Sequence, residues 1–408
     1  MQHAADPAGG VLRALAGRAA TWCAAGIGFT LPLAVAGDGV LLGLAVALLI
    51  LSGGYRDKLA QIAATPVALA ALALFAWLAL GLLHGERPPG AGADSLGKYQ
   101  DLLALALLLP LFRAPPARRG AVLALAAALV ITLAVSYGIA AGLIPKGVLR
   151  PADPTSAVAF KLRVTHGYLV AFGAFLFALL AREAAGRARL AWAAASALAA
   201  FNVLFLVQGQ TGWVVFATLA LYLAYALLGA RGLAAALALG AALATAGYFV
   251  SDGLRARLQE TAGQVTAYRS GKTATGADSA GMRLEFYRNT AAIVAEHPLL
   301  GVGTGGFPTA YAARAPAGAV VTDNPHNEYL LIAAQTGLPG AALLVVLFAV
   351  AWHGARRLAP LERDLARGLV LATAVGCLFN SLLADHTEGL LFAWLGAVTF
   401  GSLKYRQP

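Results

Sequence analysis

Residues 120–144 read GAVLALAAALVITLAVSYGIAAGLI, a run of 25 residues without one charged side chain. About 20 apolar residues in a helix are enough to span the hydrocarbon core of a bilayer. Similar runs recur along the chain, and only 12% of its 408 residues are charged, about half the share in soluble domains. Because backbone groups in lipid must pair internally, these runs predict helices. The predicted fold class is therefore an all-α polytopic membrane protein.

Twelve segments are predicted to span the membrane, and they divide the chain into three parts. Residues 1–250 hold the first nine spans, residues 251–337 form one large loop, and residues 338–408 hold the last three spans. The spans are 20–36, 39–53, 66–83, 99–112, 120–144, 165–181, 190–207, 213–229, 233–250, 338–355, 366–384 and 389–403.

Basic residues are unevenly distributed between the two sides that twelve spans create. The side that holds both termini carries 17 Lys and Arg, whereas the short loops opposite carry six. The positive-inside rule assigns the richer side to the cytoplasm. Both termini are therefore predicted to be cytoplasmic, with the large loop on the outer face. Anchoring charges of this kind explain the net charge of +11 better than nucleic-acid binding does.

Residues 282–296 of the large loop have the pattern of an amphipathic helix that stops before Pro298. Arg283 and Arg288 are about 140° apart around such a helix, so one face cannot hold both. Glu285 lies three residues before Arg288, which predicts a surface ion pair. Arg283 has no acidic neighbour at helical spacing, and its guanidinium suits a phosphate group. A plain surface charge is the alternative for each arginine.

Residues 323–330 read DNPHNEYL and carry a helix-start pattern. Asn324 is the predicted N-cap, and Pro325 suits the first helical position. His326 then lies in the first turn, where the helix dipole disfavours an imidazolium, so the ring can accept a proton. Free N–H groups at the same helix end suit a phosphate oxygen. The alternative is that His326 only supports the cap or packs at the membrane surface.

Residues 297–307 read HPLLGVGTGGF, a glycine density that lets backbone approach a ligand closely. No strand precedes this run, so it is not a dinucleotide fingerprint, and a tight loop is the alternative. Three polar clusters share the outer face with the large loop, although each of them can also be explained as interfacial anchoring. They are Lys161, Arg163 and His166; Gln208, Gln210 and Thr211; and Asp385, His386 and Glu388.

Three segments together resemble the O-antigen ligase and polymerase superfamily. They are residues 281–283 (GMR), residues 297–305 (HPLLGVGTG) and residues 325–330 (PHNEYL), in that order within a large loop between late spans. The resemblance implies a GT-C-like membrane fold and a glycosyltransferase active site at the periplasmic face of the bacterial inner membrane. Such ligases move a glycan from undecaprenyl diphosphate to the lipid A-core oligosaccharide, without a nucleotide, metal or other cofactor.

The resemblance also assigns roles to residues of this chain. It places the family's essential histidine at His326 and its loop arginine at Arg283, as the catalytic pair. A second family arginine precedes a Thr-Gly pair, and here that position is Gln210, so Arg163 from the neighbouring outer loop is the expected replacement. The residues expected to contact substrate are Arg163, Arg288, Gln210, Asn327, Lys161 and Asp385.

Other functions are compatible with the same sequence. An O-antigen polymerase shares the donor but uses a second lipid-linked glycan as acceptor, and a protein O-oligosaccharyltransferase uses a protein. A transporter of lipid-linked glycan is a different class. Transporters place ionisable residues or broken helices at mid-membrane, whereas here the charges cluster at span ends and the outer loop is large.

Overall fold

The computed structural model describes residues 7–146, 156–207, 209–250, 252–270, 279–315 and 319–403. Every regular element within these ranges is helical, which confirms the all-α class. Four of the helices begin with a proline, which lacks the N–H that a first helical position cannot use. The α-helices are α1 Pro7–Thr30, α2 Val35–Leu51, α3 Tyr55–Ala63, α4 Pro66–Leu80, α5 Ala91–Gly97, α6 Asp101–Leu108, α7 Pro115–Ala140, α8 Arg163–Glu183, α9 Gly186–Phe201, α10 Gln210–Val250, α11 Asp252–Arg269, α12 Ser279–Glu296, α13 Phe307–Arg314, α14 Glu328–Gly354, α15 Pro360–Gly376 and α16 His386–Phe400.

Six of the described helices are long and apolar enough to cross a membrane, or up to eight if each of two bent pairs forms one span. The bent pairs are α2 with α3, and α5 with residues 101–112. The chain is therefore a multi-pass membrane protein, although the predicted number of twelve spans is not confirmed. Some helices that coincide with predicted spans are short: α15 has 17 residues and α16 has 15.

Helix α10 has 41 residues and contains a break at Gly229, whose φ of 63° and ψ of −149° are not helical. A continuous helix of this length would be about 60 Å long, twice the thickness of the hydrocarbon core. A Cβ at Gly232 would lie 2.2 Å from the carbonyl oxygen of Ala224, so the chain turns back closely on itself here. The break falls at the last residue of the predicted span 213–229, four residues before the predicted span 233–250 begins.

The loop predicted over 251–337 contains helices α11, α12 and α13 and the first residues of α14. Helix α14 is itself broken at Gly337, whose φ is 76°, at the predicted end of the loop. A broken helix leaves carbonyl groups without their usual donors, which is costly away from water. The protein supplies other donors for them: Val302 N to Ala334 O at 2.8 Å, Gly303 N to Gln335 O at 2.9 Å, and Trp77 Nε1 to Thr336 O at 3.0 Å.

The glycine run packs against the protein's own backbone, which supports the tight-loop interpretation. Three of its glycines have positive φ and lie where no side chain fits. An added Cβ would lie 2.4 Å from Gln335 C at Gly301, 2.2 Å from His84 O at Gly303, and 2.5 Å from Ala91 O at Gly305. Gly301 therefore allows a close approach to the broken part of α14, whereas Gly303 and Gly305 allow close approaches to the backbone at residues 84 and 91.

Helix α16 is the central helix of the bundle, because every residue from Thr387 to Phe400 is buried. A helix that is apolar all round is stable when other helices surround it. Helix α8 is almost as buried, and it runs antiparallel to α15. Arg182 binds Asp364 at 2.8 Å near one end of this pair, and the Tyr168 hydroxyl lies 2.9 Å from Thr373 Oγ1 nearer the other.

These contacts define two ends of the bundle. The site end is where α8 begins and α15 ends, and the opposite end is where α8 ends and α15 begins. From Arg163 to Arg182, helix α8 rises about 28 Å, close to the thickness of a hydrocarbon core. Helices α14 and α15 meet at the site end, since Glu328 N donates to Cys377 O at 2.9 Å.

Candidate functional site

His326 lies before helix α14 and not within its first turn, so the predicted cap is wrong by three residues. The N-cap is Asn327, whose Oδ1 accepts from Leu330 N at 3.0 Å, and the helix begins at Glu328. Asn324 uses its side chain in another way, because its Oδ1 accepts from His326 N at 2.8 Å and closes a turn. That turn gives His326 a φ of 55°, a left-handed conformation rare for a residue with a side chain.

His326 is held from three directions. Its ring Nδ1 lies 3.0 Å from Asn380 Oδ1, and its backbone carbonyl accepts from the Tyr287 hydroxyl at 3.1 Å. The Phe286 ring lies beside the imidazole, with 6.2 Å between centroids. Unfavourable backbone conformations persist only where the surroundings fix them, and they are often found at functional sites. The imidazole is therefore presented in a fixed orientation by a strained turn.

The turn between α15 and α16 supplies the ring partner of His326. Within it, Asn380 Nδ2 donates to Asp385 Oδ2 at 2.9 Å. Ser381 Oγ donates to Asn324 Oδ1 at 2.8 Å, so the two turns bind each other directly. Burial raises the pKa of the Asp385 carboxyl, and the nearby His326 and Lys98 partly oppose that shift. The predicted residue Asp385 thus lies two hydrogen bonds from the imidazole.

The side chain of Glu328 also binds the turn between α15 and α16. This side chain is fully buried, and Oε1 accepts from the Tyr99 hydroxyl at 2.7 Å. Oε2 accepts from Leu383 N at 2.8 Å and Ala384 N at 3.3 Å. Sequence reasoning missed this role, as it missed those of Tyr287 and Asn380. The one signal available for Glu328 was its position, a charged residue directly before a long apolar run.

Arg283 and Gln210 are brought together, although 73 residues separate them in the chain. Arg283 Nη1 donates to Gln210 Oε1 at 3.0 Å. Arg163 lies at the same place, because a Cβ at Gly209 would be 3.9 Å from Arg163 Cγ. The predicted grouping of Arg163, Gln210 and Arg283 is therefore present at the site end.

A close crossing of α8 and α10 allows this grouping. Near the starts of the two helices, a Cβ on Gly212 would lie 3.1 Å from the Cα of Gly167. Glycines at a crossing let two helix backbones approach closely. Helix packing thus explains why the Gln-Thr-Gly sequence ends in a glycine. The close crossing at Gly212 also brings Gln210 next to Arg163, the first residue of α8.

Helix α12 links the arginine to the histidine. Arg283 is four residues before Tyr287, so both lie on one helix face with Cβ atoms about 6 Å apart. Because Tyr287 donates to the carbonyl of His326, the Arg283 side chain starts about one helical turn from a residue that contacts His326. Burial raises the pKa of Tyr287, which keeps its hydroxyl available as a donor.

Arg288 lies elsewhere on α12, and the predicted ion pair with Glu285 is absent. Arg288 is exposed, whereas Glu285 is buried and its Oε1 has no hydrogen-bond partner among the described residues. The two side chains are three residues apart, but one faces solvent and the other faces the protein. The structure thus separates Arg288 from the face that carries Arg283, as the predicted helical spacing required.

Lys161 points into the protein at the base of α16. It is buried, and its Nζ donates to Thr387 Oγ1 at 3.0 Å. Burial lowers the pKa of Lys161, while the nearby carboxyl groups of Asp38 and Glu388 oppose the shift. His166 is also buried, with Nε2 3.2 Å from Asn202 Oδ1. These members of the predicted outer clusters therefore contact the interior of the bundle.

The comparison with known families agrees with the motifs quoted above. Residues 194–345 match the model of the family described as O-antigen ligase. No match was found among curated proteins. Gln210, Arg283 and His326 lie inside the matched segment, whereas Arg163 and Asp385 lie outside it. The part of the chain that carries Gln210, Arg283 and His326 is therefore similar to the O-antigen ligase family.

Proposed function

We propose that this protein is an O-antigen ligase, which transfers a glycan with inversion from undecaprenyl diphosphate to the lipid A-core oligosaccharide. The match of residues 194–345 to the O-antigen ligase family supports a glycosyltransferase of the ligase or polymerase type. The observation that carries the proposal is the link through Tyr287. The Tyr287 hydroxyl binds the backbone of His326 from the helix that carries Arg283, which supports a site where the imidazole acts next to a diphosphate bound by Arg283, Gln210 and Arg163.

In this reaction His326 is the general base. Its Nε2 takes the proton from an acceptor hydroxyl of the core sugar, and that oxygen forms a bond to the anomeric carbon of the donor glycan. The bond from the anomeric carbon to the diphosphate oxygen breaks, and undecaprenyl diphosphate leaves. Charge develops on that oxygen, and preorganised donors aimed at developing charge give the largest catalytic gain in most enzymes.

Arg283 supplies such donors, and Gln210 holds its guanidinium in place. Arg163 takes the position of the second family arginine, because its side chain lies beside Gly209, next to Gln210. Direct substrate contacts of Arg288, Lys161 and Asn327 stay predictions. For Asn327 we propose an additional role as the cap that sets where α14 begins. The diphosphate already activates the donor, so no metal or other cofactor is needed in this proposal.

We further propose twelve spans in a GT-C-like arrangement, in the inner membrane, with the site end facing the periplasm. Arg182 binds Asp364 and Arg118 binds Glu362 at the opposite end of the bundle. Basic residues are retained on the cytoplasmic side of membrane proteins. Together with the sequence asymmetry, these arginines support cytoplasmic termini. Labelling of a cysteine introduced at Asp323 tests this orientation, and labelling only from the cytoplasmic side would contradict it.

A reconstituted system tests the function. The purified protein in nanodiscs receives lipid-linked glycan and one of three acceptors: lipid A-core, a second lipid-linked repeat, or a protein. Transfer to lipid A-core is the expected result. Transfer to the second repeat identifies a polymerase, transfer to protein identifies an oligosaccharyltransferase, and movement of the donor across the bilayer without a covalent product identifies a transporter.

Two pairs of variants test the mechanism in that system. His326→Ala should lower kcat by about 10²–10⁴-fold, the usual contribution of a general base. Its matched control is His353→Ala, because His353 is exposed near the far end of α14. Arg283→Ala should lower kcat by about 10²-fold or more. Its control is Arg314→Ala, which removes only a surface pair with Glu296. Normal ligation by His326→Ala would refute the base assignment.

A further inference from the structure

We infer that Asn380 and Asp385 form a hydrogen-bond relay that selects the tautomer of His326 and leaves Nε2 as the free base. The inference rests on the proposed function, because it assigns positioning roles around the base of that reaction. Neither residue is in the segment that matches the family model.

The first step concerns the orientation of the Asn380 amide. An ionised carboxylate only accepts hydrogen bonds, whereas an amide has one donating and one accepting end. Asp385 Oδ2 lies 2.9 Å from Nδ2 of Asn380, so the donating end of the amide faces Asp385. The accepting Oδ1 then faces the imidazole. The reversed amide would bring two acceptors together at Asp385.

The second step concerns the imidazole. Asn380 Oδ1 lies 3.0 Å from His326 Nδ1, and this oxygen can only accept. Nδ1 must therefore carry the hydrogen. In a neutral imidazole the other nitrogen then has the free lone pair, so Nε2 is the atom that takes a proton. The partner of one ring nitrogen thus determines the chemistry of the other.

The third step concerns the rigidity of the relay. Asn380 N donates to Gly376 O at 3.0 Å, and Ser381 binds Asn324, which also binds the backbone of His326. Glu328 holds the two residues just before Asp385 through their N–H groups. Asn380 and the imidazole are therefore fixed by one connected set of hydrogen bonds, and neither can turn alone.

The relay also acts during the reaction. When the acceptor O–H bond breaks and the Nε2–H bond forms, the ring becomes an imidazolium. The Asn380 carbonyl dipole stabilises that charge through Nδ1–H, and the Asp385 carboxylate polarises the amide in the same direction. Asp385 keeps its charge throughout, and the imidazolium returns its proton to solvent after the glycan has moved. The charged or titratable groups that interact with Asp385 are His326, Lys98 of the segment after α5, Tyr99 of the segment before α6, Glu328 of α14, Cys377 at the end of α15 and Glu388 of α16.

The test measures kcat, KM and the pH–rate profile of three variants in the nanodisc assay. Asn380→Ala removes the acceptor for Nδ1–H, so kcat should fall about 10–100-fold with KM changed less than about twofold, a part of the full effect of a general base. Asn380→Asp, made together with Asp385→Asn so that an amide donor faces the new carboxylate, keeps an acceptor there and should recover most of kcat. Its acid limb should move to higher pH, because a carboxylate facing Nδ1–H favours the imidazolium. Asp385→Asn should lower kcat, since the new amide can donate as well as accept and no longer fixes the orientation of the Asn380 amide.

The double variant Asn380→Ala with Asp385→Asn should be no slower than the slower single variant, because residues that act as one unit are not additive. Asn289→Ala is the control, since it deletes a half-buried amide that donates to the Tyr311 hydroxyl at 3.3 Å. Fully additive losses would overturn the relay.

Two other results would also overturn it: wild-type kcat in Asn380→Ala, and an unchanged acid limb in Asn380→Asp made together with Asp385→Asn. The Asp variant decides the question if the Ala variant does not fold. If the relay predictions fail while His326→Ala is inactive, the ligase proposal still stands. If His326→Ala is active, both the relay and the proposed ligase mechanism are refuted.

Discussion

Replacing Glu328 should weaken both the stability and the turnover of this protein. Its carboxylate accepts three hydrogen bonds in a fully buried position, from Tyr99 Oη, Leu383 N and Ala384 N. Hydrogen bonds to a charged group contribute about 1.5–3 kcal/mol each, and a buried donor left unpaired costs about 1–3 kcal/mol. Because two of the donors belong to the turn that carries Asp385, the loss should also loosen the active site.

The magnitude depends on what replaces the carboxylate. Glu328→Ala leaves three buried donors without an acceptor, and since such costs are not additive we expect a loss of about 3–5 kcal/mol. Glu328→Gln keeps one oxygen for the two backbone N–H groups. Its amide can still donate to Tyr99 if that hydroxyl turns round, and it no longer buries a charge. We therefore expect a loss of only about 1–2 kcal/mol for the glutamine.

Thermal unfolding in detergent, followed by tryptophan fluorescence, compares the unfolding temperatures of the variants. The nanodisc assay measures their kcat. Tyr99→Phe should fall near Glu328→Gln, because it leaves one carboxylate oxygen unpaired. The matched control is Tyr137→Phe, whose hydroxyl donates to Leu198 O at an exposed position. The reasoning is refuted if Glu328→Ala unfolds at the wild-type temperature with wild-type turnover, since the three bonds would then contribute nothing.

Three other outcomes follow from the structure. Gly301→Ala should severely reduce the yield of folded protein, because the added Cβ would lie 2.4 Å from Gln335 C at a residue whose φ is 67°. Gly43→Ala is the control and should be tolerated, since a Cβ at Gly43 would have nothing within 4 Å. Size-exclusion profiles of the two variants compare their yields of folded protein. Asp385→Asn should raise the unfolding temperature at pH 7 while it slows transfer. Burial raises the pKa of the Asp385 carboxyl, so its ionised form lowers the free energy of unfolding. This loss of stability appears as the pH rises through the native pKa, and it vanishes below the pKa of the unfolded chain. A gain that persists unchanged at low pH would contradict this cause. Finally, EDTA should leave the transfer rate unchanged, and a loss restored by Mg²⁺ would contradict the proposed metal-independent reaction.

The sequence by itself determined the features that depend on neighbouring residues. Long apolar runs can form only helices in lipid, so the all-α membrane class followed from composition. The division of this region into the predicted spans 213–229 and 233–250 agrees with the break at Gly229. The helix over 282–296 could be predicted from its spacing, and with it the separation of Arg283 from Arg288.

The motifs also identified His326 and Arg283 as the residues to examine. The helix-start pattern around Asn324 was interpreted in the wrong register, however, because an Asn side chain can bond either a turn or a helix end. Only the packed structure shows that Asn324 closes the turn before the helix and that Asn327 caps it.

The tertiary structure alone decided which residues hold the histidine. Asn380 lies 54 residues from His326 along the chain, and Tyr99 lies 229 residues from Glu328. Patterns at helical spacing carry no information about such pairs, since the pairs arise where separate helices meet. The physical reason is that a buried polar group needs a partner but does not specify where in the sequence that partner lies.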